Sequence, residues 1–168
     1  GDVTQFQQLL NYVRFNEPIG SQFVSGLEAR MDVDNFFNYV LTQVYIDNTD
    51  WPGNNVRYWR PRNADGRWRW IPFDLDGGFD IRHTGPRRNL LSSLMGDGQQ
   101  PFEPLWTRYF LQRLMLHPDL QRRFLERAQD QLNTTFATGA VLHQIDELAQ
   151  QLEPEMERHI ERWGGMQS

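Results

Sequence analysis

Asp50 and Asn55 stand five residues apart, and some twenty residues later Asp74 and Asp76 flank a leucine just before the pair Gly77–Gly78. Carboxylate and amide oxygens are hard donors, and a small hard cation such as Mg²⁺ takes oxygens of this kind at about 2.0–2.1 Å. A loop carboxylate can also accept the proton of a hydroxyl nucleophile. These residue types therefore allow metal-assisted group transfer, provided that the chain folds the two clusters onto each other. Asn48 and Asn54 lie beside the first cluster and are additional candidates for metal binding or positioning. Arg82, Arg87 and Arg88 follow the second cluster. They are candidate grips for a phosphate or an acidic substrate through charge-assisted hydrogen bonds, with a solvated loop as the competing reading.

The elements that must position these groups are legible from periodicity. Val33, Phe36, Phe37, Val40, Leu41, Val44 and Tyr45 recur at helical spacing, which predicts a helix from Asp32 to about Ile46, capped by Asp32 or Asp34. Asn48, Asp50, Pro52, Gly53, Asn54 and Asn55 then break it into a loop. Two strands are predicted at about 55–61 and 67–73, joined by the turn signal Asn63-Ala64-Asp65-Gly66. A turn on Ala64–Asp65 sets Asn55 opposite Asp74, and a turn on Asp65–Gly66 sets it opposite Asp76. A three-residue loop with a bulged Gly66 gives the register between. Directly opposed residues hold their Cβ atoms about 4.5–5.5 Å apart, so each choice predicts Asn55 beside the Asp74–Asp76 pair. The bland alternative is that Asn and Asp merely terminate strands.

Phe6, Leu9, Leu10 and Val13 share one helical face near the N-terminus. A Gly-, Pro- and Arg-rich stretch from Gly77 to about Gln100 reads as one long loop. Leu105, Tyr109, Leu111, Leu114 and Met115 mark a further helix, and another opens at Pro118. Val141, Ile145, Leu148, Leu152, Met156, Ile160 and Trp163 mark a long last helix that Pro154 is expected to kink or split. The expected architecture is α+β and mainly α: a single helical domain over residues 1–168 with one inserted antiparallel β-hairpin.

Composition narrows the function classes. The chain has 168 residues, 39% of them hydrophobic, enough for a globular core. It has no cysteine, hence no disulfide and no thiolate metal site. No apolar run is long enough for a membrane span, and the N-terminus lacks the basic, apolar, small-residue order of a signal peptide. All 17 basic residues are arginine, so any chemistry that needs a lysine must take it from elsewhere. Arg57, Arg60, Arg62, Arg67 and Arg69 alternate with Tyr58, Trp59, Trp68 and Trp70, a mixture also found on nucleic-acid surfaces. The net charge of −5 argues against that partner, and a half-buried hairpin with a solvated Arg face is preferred. His83, His117, His143 and His159 show no metal-ligand spacing and read as structural or surface residues.

Asp50-x4-Asn55, a hairpin, then Asp74-x-Asp76-Gly77 reproduces the order of a protein-kinase catalytic centre. There, a loop acid faces the substrate hydroxyl, an Asn five residues on holds a metal, and a later Asp before Gly holds the metals on the nucleotide. The His-Arg-Asp lead-in is replaced by Asn48-Thr49-Asp50. "NTDWPGNN", "GRWRWIPFDLDGGF", "LNTTF" and "EPEMERHIERWG", in that order, resemble the CotH kinase family, the spore-coat protein H relatives, from about Val33 to Gly164.

The resemblance implies a fold like a protein-kinase C-terminal lobe and an atypical kinase that phosphorylates serine with ATP and Mg²⁺ or Mn²⁺. Carried over by position, Asp50 is the catalytic acid, Asn55, helped by Asn54, a metal ligand, and Asp74 or Asp76 the metal-binding acid. The implied partners are a serine-containing protein substrate and an upstream nucleotide-binding lobe. Without that lobe, this stretch is expected to fold yet show little activity. Spore coat, cell envelope or secretion is the implied setting. Two other readings stay open: a non-catalytic scaffold module of coat or envelope, and a metal-dependent phosphohydrolase using the same carboxylates.

Overall fold

A computed structural model describes residues 3–63, 66–81, 89–96 and 105–164. Its elements run α1 (Val3–Phe15), α2 (Phe23–Glu28), α3 (Val33–Tyr45), β1 (Arg57–Trp59), β2 (Arg69–Ile71), α4 (Leu90–Met95), α5 (Leu105–Met115), α6 (Pro118–Asn133) and α7 (Thr138–Trp163). The protein is thus mainly helical with one two-stranded antiparallel sheet, as expected. The chain forms two compact units, residues 1–127 and 128–168.

The first unit is built on α3. Asp32 caps it by accepting the Asn35 backbone N–H at 3.1 Å, and the predicted apolar stripe is buried at Val33, Phe36, Phe37, Val40 and Leu41. Rings from other elements close over this face. Phe36 meets Trp70 of β2 at 4.8 Å and Phe110 of α5 at 5.6 Å between centroids, and Phe37 meets Phe124 of α6 at 5.2 Å. Fully burying one such side chain stabilises the fold by about 1.5–3 kcal/mol. Phe6, Leu9 and Val13 of α1 join this core, and Leu10 lies at its margin. Arg113 of α5 secures the C-terminus of α1, donating to the carbonyls of Val13 at 3.2 Å and Asn16 at 2.6 Å. Such late carbonyls have no partner within their own helix.

β2 is held to α3 along its second edge. The Asn35 side chain accepts the Trp70 N–H at 2.6 Å and donates to the Trp70 carbonyl at 3.2 Å, imitating a neighbouring strand. Asp32 N–H donates to the Trp68 carbonyl and Trp68 N–H to the Arg30 carbonyl, each at 2.9 Å. Arg69 adds an ion pair to Asp32 at 3.0 Å. Partial burial of Asp32 opposes its ionisation. The hydrogen bonds from Asn35 and Arg69 and the charges of Arg69 and Arg67 outweigh that, holding the carboxyl below its ordinary range.

Three sequence expectations need correction. The hairpin is shorter, and its ladder, Arg57↔Ile71, Tyr58↔Trp70 and Trp59↔Arg69, is a register that none of the tight turns provides. The connection spans residues 60–68, because Pro61 has no N–H to extend the ladder and the backbone folds on itself instead. Gly66 N–H reaches the Asn63 carbonyl at 3.2 Å, and a Cβ at Gly66 would lie 2.1 Å from the Pro61 carbonyl oxygen. Second, the stretch after Gly77 is not all loop. Asn89 caps α4 by accepting the Ser92 N–H at 2.8 Å, and Leu90 and Leu94 are buried at i, i+4. Third, Pro154 does not split α7, which is continuous from Thr138 to Trp163. Proline removes a single intrahelical hydrogen bond, and the long helical runs on both sides carry the helix past it.

α6 begins at Pro118 as expected. In α5, Phe110, Leu111 and Leu114 are buried, while Tyr109 is exposed and Met115 lies at the margin. Trp68 and Trp70 enter the core, whereas Trp59 and Tyr58 stay half-exposed. Arg57 lies over Phe73 at 4.7 Å and Arg69 over Trp59 at 5.9 Å. Among the described residues, no helix is long and apolar enough to cross a membrane.

Candidate active site

The loop that carries Asp50 begins at a defined helix end. Asp47 turns into the left-handed region with φ 49°. Its N–H donates to the Val44 carbonyl at 3.2 Å, and the Asn48 N–H donates to the Gln43 carbonyl at 3.1 Å. This pair of bonds is a Schellman closure with Asp where Gly is usual, and Asp tolerates that conformation better than most residues. The chain therefore leaves α3 in a set direction.

Asn48 is fully buried. Its Nδ2 donates to Gln43 Oε1 at 2.9 Å, and its Oδ1 accepts the Asp50 backbone N–H at 3.1 Å. The Asp50 carbonyl accepts the Asn54 N–H at 2.8 Å, so the main chain on both sides of the acid is held. On the C-terminal side, Trp51 is buried, and its Nε1 donates to the Tyr39 hydroxyl at 2.7 Å. Burial pushes that hydroxyl up to about 12, opposed by Trp51 and by Gln43 nearby, so Tyr39 stays a neutral phenol.

The Asp74–Gly78 segment is brought to this loop from the other side. Thr49 donates to the Gly77 carbonyl twice, through its N–H and its Oγ1, each at 3.0 Å. Phe79 N–H donates to the Ile46 carbonyl at 2.6 Å, and Gly78 N–H closes a turn on the Leu75 carbonyl at 3.0 Å. Gly77 and Gly78 are buried, whereas Asp74 and Asp76 are exposed. A Cβ on Gly77 would lie 2.9 Å from Asn48 Oδ1, 3.3 Å from Thr49 Oγ1 and 3.5 Å from Asp50 Cγ. Only a residue without a side chain fits this approach. The half-buried Asp50 carboxyl thus borders the turn that follows Asp76.

Of the expected site residues, Asn48, Asp50 and the Asp76–Gly77 turn are drawn together. The route differs from the one expected, because the ladder stops at Arg57↔Ile71 and does not pair Asn55 with Asp74 or Asp76. Beyond the ladder, Asn55 and Asp74 both adopt left-handed backbone, with φ 59° and 55°. Asn54 is exposed at the rim. Arg82, Arg87 and Arg88 lie outside the described residues. Among the described residues, no three His, Asp or Glu side chains gather into a metal-binding group. Asp50, Asp74 and Asp76 offer carboxylate oxygens, the donor type that Mg²⁺ or Mn²⁺ takes.

Sequence reasoning missed Tyr39, Gln43 and Thr49. The available signal was two polar residues at i, i+4 on a helix whose remaining positions are largely apolar.

No curated protein and no solved structure gave a match to this sequence. A family model described as CotH kinase protein matches residues 1–168, the whole chain. The chain belongs to the CotH kinase family.

Proposed function

We propose that this chain supplies the catalytic-loop acid and the metal-binding turn for transfer of the ATP γ-phosphate to a serine hydroxyl of a protein substrate. The observation that supports this reading best is the pair of hydrogen bonds that Thr49 donates to the Gly77 carbonyl. It holds Asp50 against the segment that ends in Asp76, the two groups that a kinase centre must keep together. In this reading Asp50 orients the serine hydroxyl and accepts its proton as the new O–P bond forms and ADP departs. Asn55 with Asp74 or Asp76 holds Mg²⁺ or Mn²⁺, which when bound neutralises charge on the phosphates. The rest of the chemistry is positioning, and the buried loop anchors supply it. A coat or envelope protein is the substrate class in keeping with the family.

The absence of lysine in these 168 residues favours a second reading, a non-catalytic scaffold module, because kinases place a lysine on the α- and β-phosphates. A radiolabelled-ATP assay on the full-length protein separates the readings. Phosphoserine supports the kinase, free phosphate a hydrolase, and neither product the scaffold. Asp50→Asn is expected to lower phosphoserine formation about 10²–10⁴-fold. Full activity in both Asp50→Asn and Asp76→Asn would remove these residues from the chemistry.

A further inference from the structure

We propose that Gln43 and Asn48 are positioning residues for Asp50, forming a buried amide relay that ties the acid's loop to α3. The inference rests on the reading of Asp50 as the acid that faces the hydroxyl. Gln43 and Asn48 are both fully buried, and each link is a direct hydrogen bond: Gln43 Oε1 accepts from Asn48 Nδ2 at 2.9 Å, and Asn48 Oδ1 accepts from Asp50 N–H at 3.1 Å. The neighbour on the other side, Trp51, is bonded to Tyr39, one helical turn before Gln43. Asp50 therefore sits between two residues that are both fastened to the same edge of α3.

Gln43 contributes both stability and orientation here. Its Oε1 satisfies the buried Asn48 Nδ2, and its side chain also lies beside the Tyr39 hydroxyl, so an apolar side chain of the same length would leave a buried donor unpaired. What the glutamine provides, and an apolar residue does not, is an acceptor that orients the Asn48 amide. With Nδ2 engaged by Gln43, Oδ1 is directed at the Asp50 N–H. The same Oδ1 would lie 2.9 Å from a Cβ at Gly77, so the relay also runs beside the Asp-Gly-Gly turn. A group that must meet its substrate in one geometry is sensitive to displacement, and about 1 Å of misplacement can cost about 10²-fold in rate.

The test compares wild type, Gln43→Met, Gln43→Glu and Asn48→Ala in the full-length protein, by steady-state kinetics and by hydrogen exchange at the Asp50 amide. Gln43→Met keeps the length and removes the acceptor. Its kcat is expected to fall about 10-fold or more, with KM for ATP within about twofold of wild type. The Asp50 amide is expected to exchange faster in Gln43→Met and in Asn48→Ala. Gln43→Glu retains an oxygen for Asn48 and is expected to recover most of kcat. If folded Gln43→Met keeps wild-type kcat, or if Met and Glu are equally impaired once the folded fraction is corrected for, the positioning role is overturned. Unchanged exchange at Asp50 overturns the relay itself, even if Asn48→Ala fails to fold, because the Gln43 variants report on it separately. A wild type that transfers no phosphate brings down the assignment of Asp50 instead, and the exchange data then decide whether the relay holds the loop.

Discussion

α3 and α7 are both amphipathic by sequence, yet they differ in what their faces do. α3 has 13 residues and buries seven of them, Val33, Phe36, Phe37, Tyr39, Val40, Leu41 and Gln43. α7 has 26 residues and buries none, leaving Leu142, Ile145, Leu148, Leu152 and Ile160 about half-exposed. A period of 3.6 thus reports that a helix has a face, but not what covers it. At 100° per residue the buried arc of α3 spans about 200°, wider than an apolar stripe needs. Tyr39 and Gln43 make up one edge of that arc, and this edge holds the loop of Asp50. In α3 the same helix packs the core and fastens the loop on both sides of Asp50.

The comparison is best broken at the centre of the α3 face. Phe36→Ala removes a ring that touches Phe37, Trp70 and Phe110. The expected loss is about 3–5 kcal/mol, read from urea unfolding of the first unit's signal. A loss under about 1 kcal/mol would mean that the ring does not stand in a packed core.

Gly77→Ala probes the Gln43 edge of α3, where the expected cost is smaller. The added methyl meets Asn48 Oδ1, and Asn48 is held at both ends of its amide. Overpacking of this kind costs about 1–3 kcal/mol. In the proposed kinase reading, phosphoryl transfer should fall further than the loss of folded protein explains, because displacing Asn48 Oδ1 disturbs the acceptor of the Asp50 N–H. A variant with wild-type stability and rate would show that the loop and the turn are not in contact.

The parts of this arrangement that could be read in advance are those with local causes. The α3 stripe, the Asp32 cap, the start of α6 and the existence of a hairpin follow from period, capping and turn residues near in sequence. The register did not follow, because Pro61 cannot extend the ladder and Gly66 approaches the Pro61 carbonyl closely, neither of which the turn signal reveals. α4 was hidden inside a Gly- and Pro-rich stretch, since a six-residue helix shows barely two turns of pattern. At the site, Asp50, Asn48 and Asp76 were legible as residue types at a spacing. The staple through Thr49 and the relay through Gln43 were not, because both join residues through backbone turns that no periodicity describes.

Acid sharpens the comparison by acting on the helix that is anchored by ion pairs. Asp34 accepts from Arg123 at 2.7 Å and pairs with Arg127 at 2.9 Å, and Arg123 also reaches Glu28 at 2.6 Å. The Arg123 hydrogen bond, ahead of the opposing burial, holds the Asp34 carboxyl below its ordinary 3.8, and Asp32 is held low as well. A carboxyl depressed in the folded state contributes stability that is complete above the unfolded pKa and is lost as pH falls through the folded one. The melting midpoint of the first unit should therefore change little from about pH 7 to 5 on account of these groups and fall below about pH 4. Asp34→Asn should lower the midpoint at pH 7 by a few degrees at most, since partly exposed pairs are weak, and should flatten the acid slope. An unchanged slope would show that the Asp34 pairs do not persist in solution.

The smallest effect belongs to α7. Leu148 is 56% exposed, so its side chain has shed little water contact and truncation leaves no cavity. Leu148→Ala also gains slightly in helix propensity, since alanine is the best helix former. Surface substitutions without a cap, a partner or strain usually fall within about 0.5 kcal/mol of neutral. The expected result is a chemical-unfolding curve that overlays wild type, beside a Phe36→Ala curve shifted far to lower denaturant. The pair must be measured in one buffer and at several protein concentrations, because an apolar face that gains a cover by association would make the Leu148 effect grow with concentration. A loss of about 2 kcal/mol or more at the lowest concentration would place Leu148 in a packed core and erase the difference between the two helices.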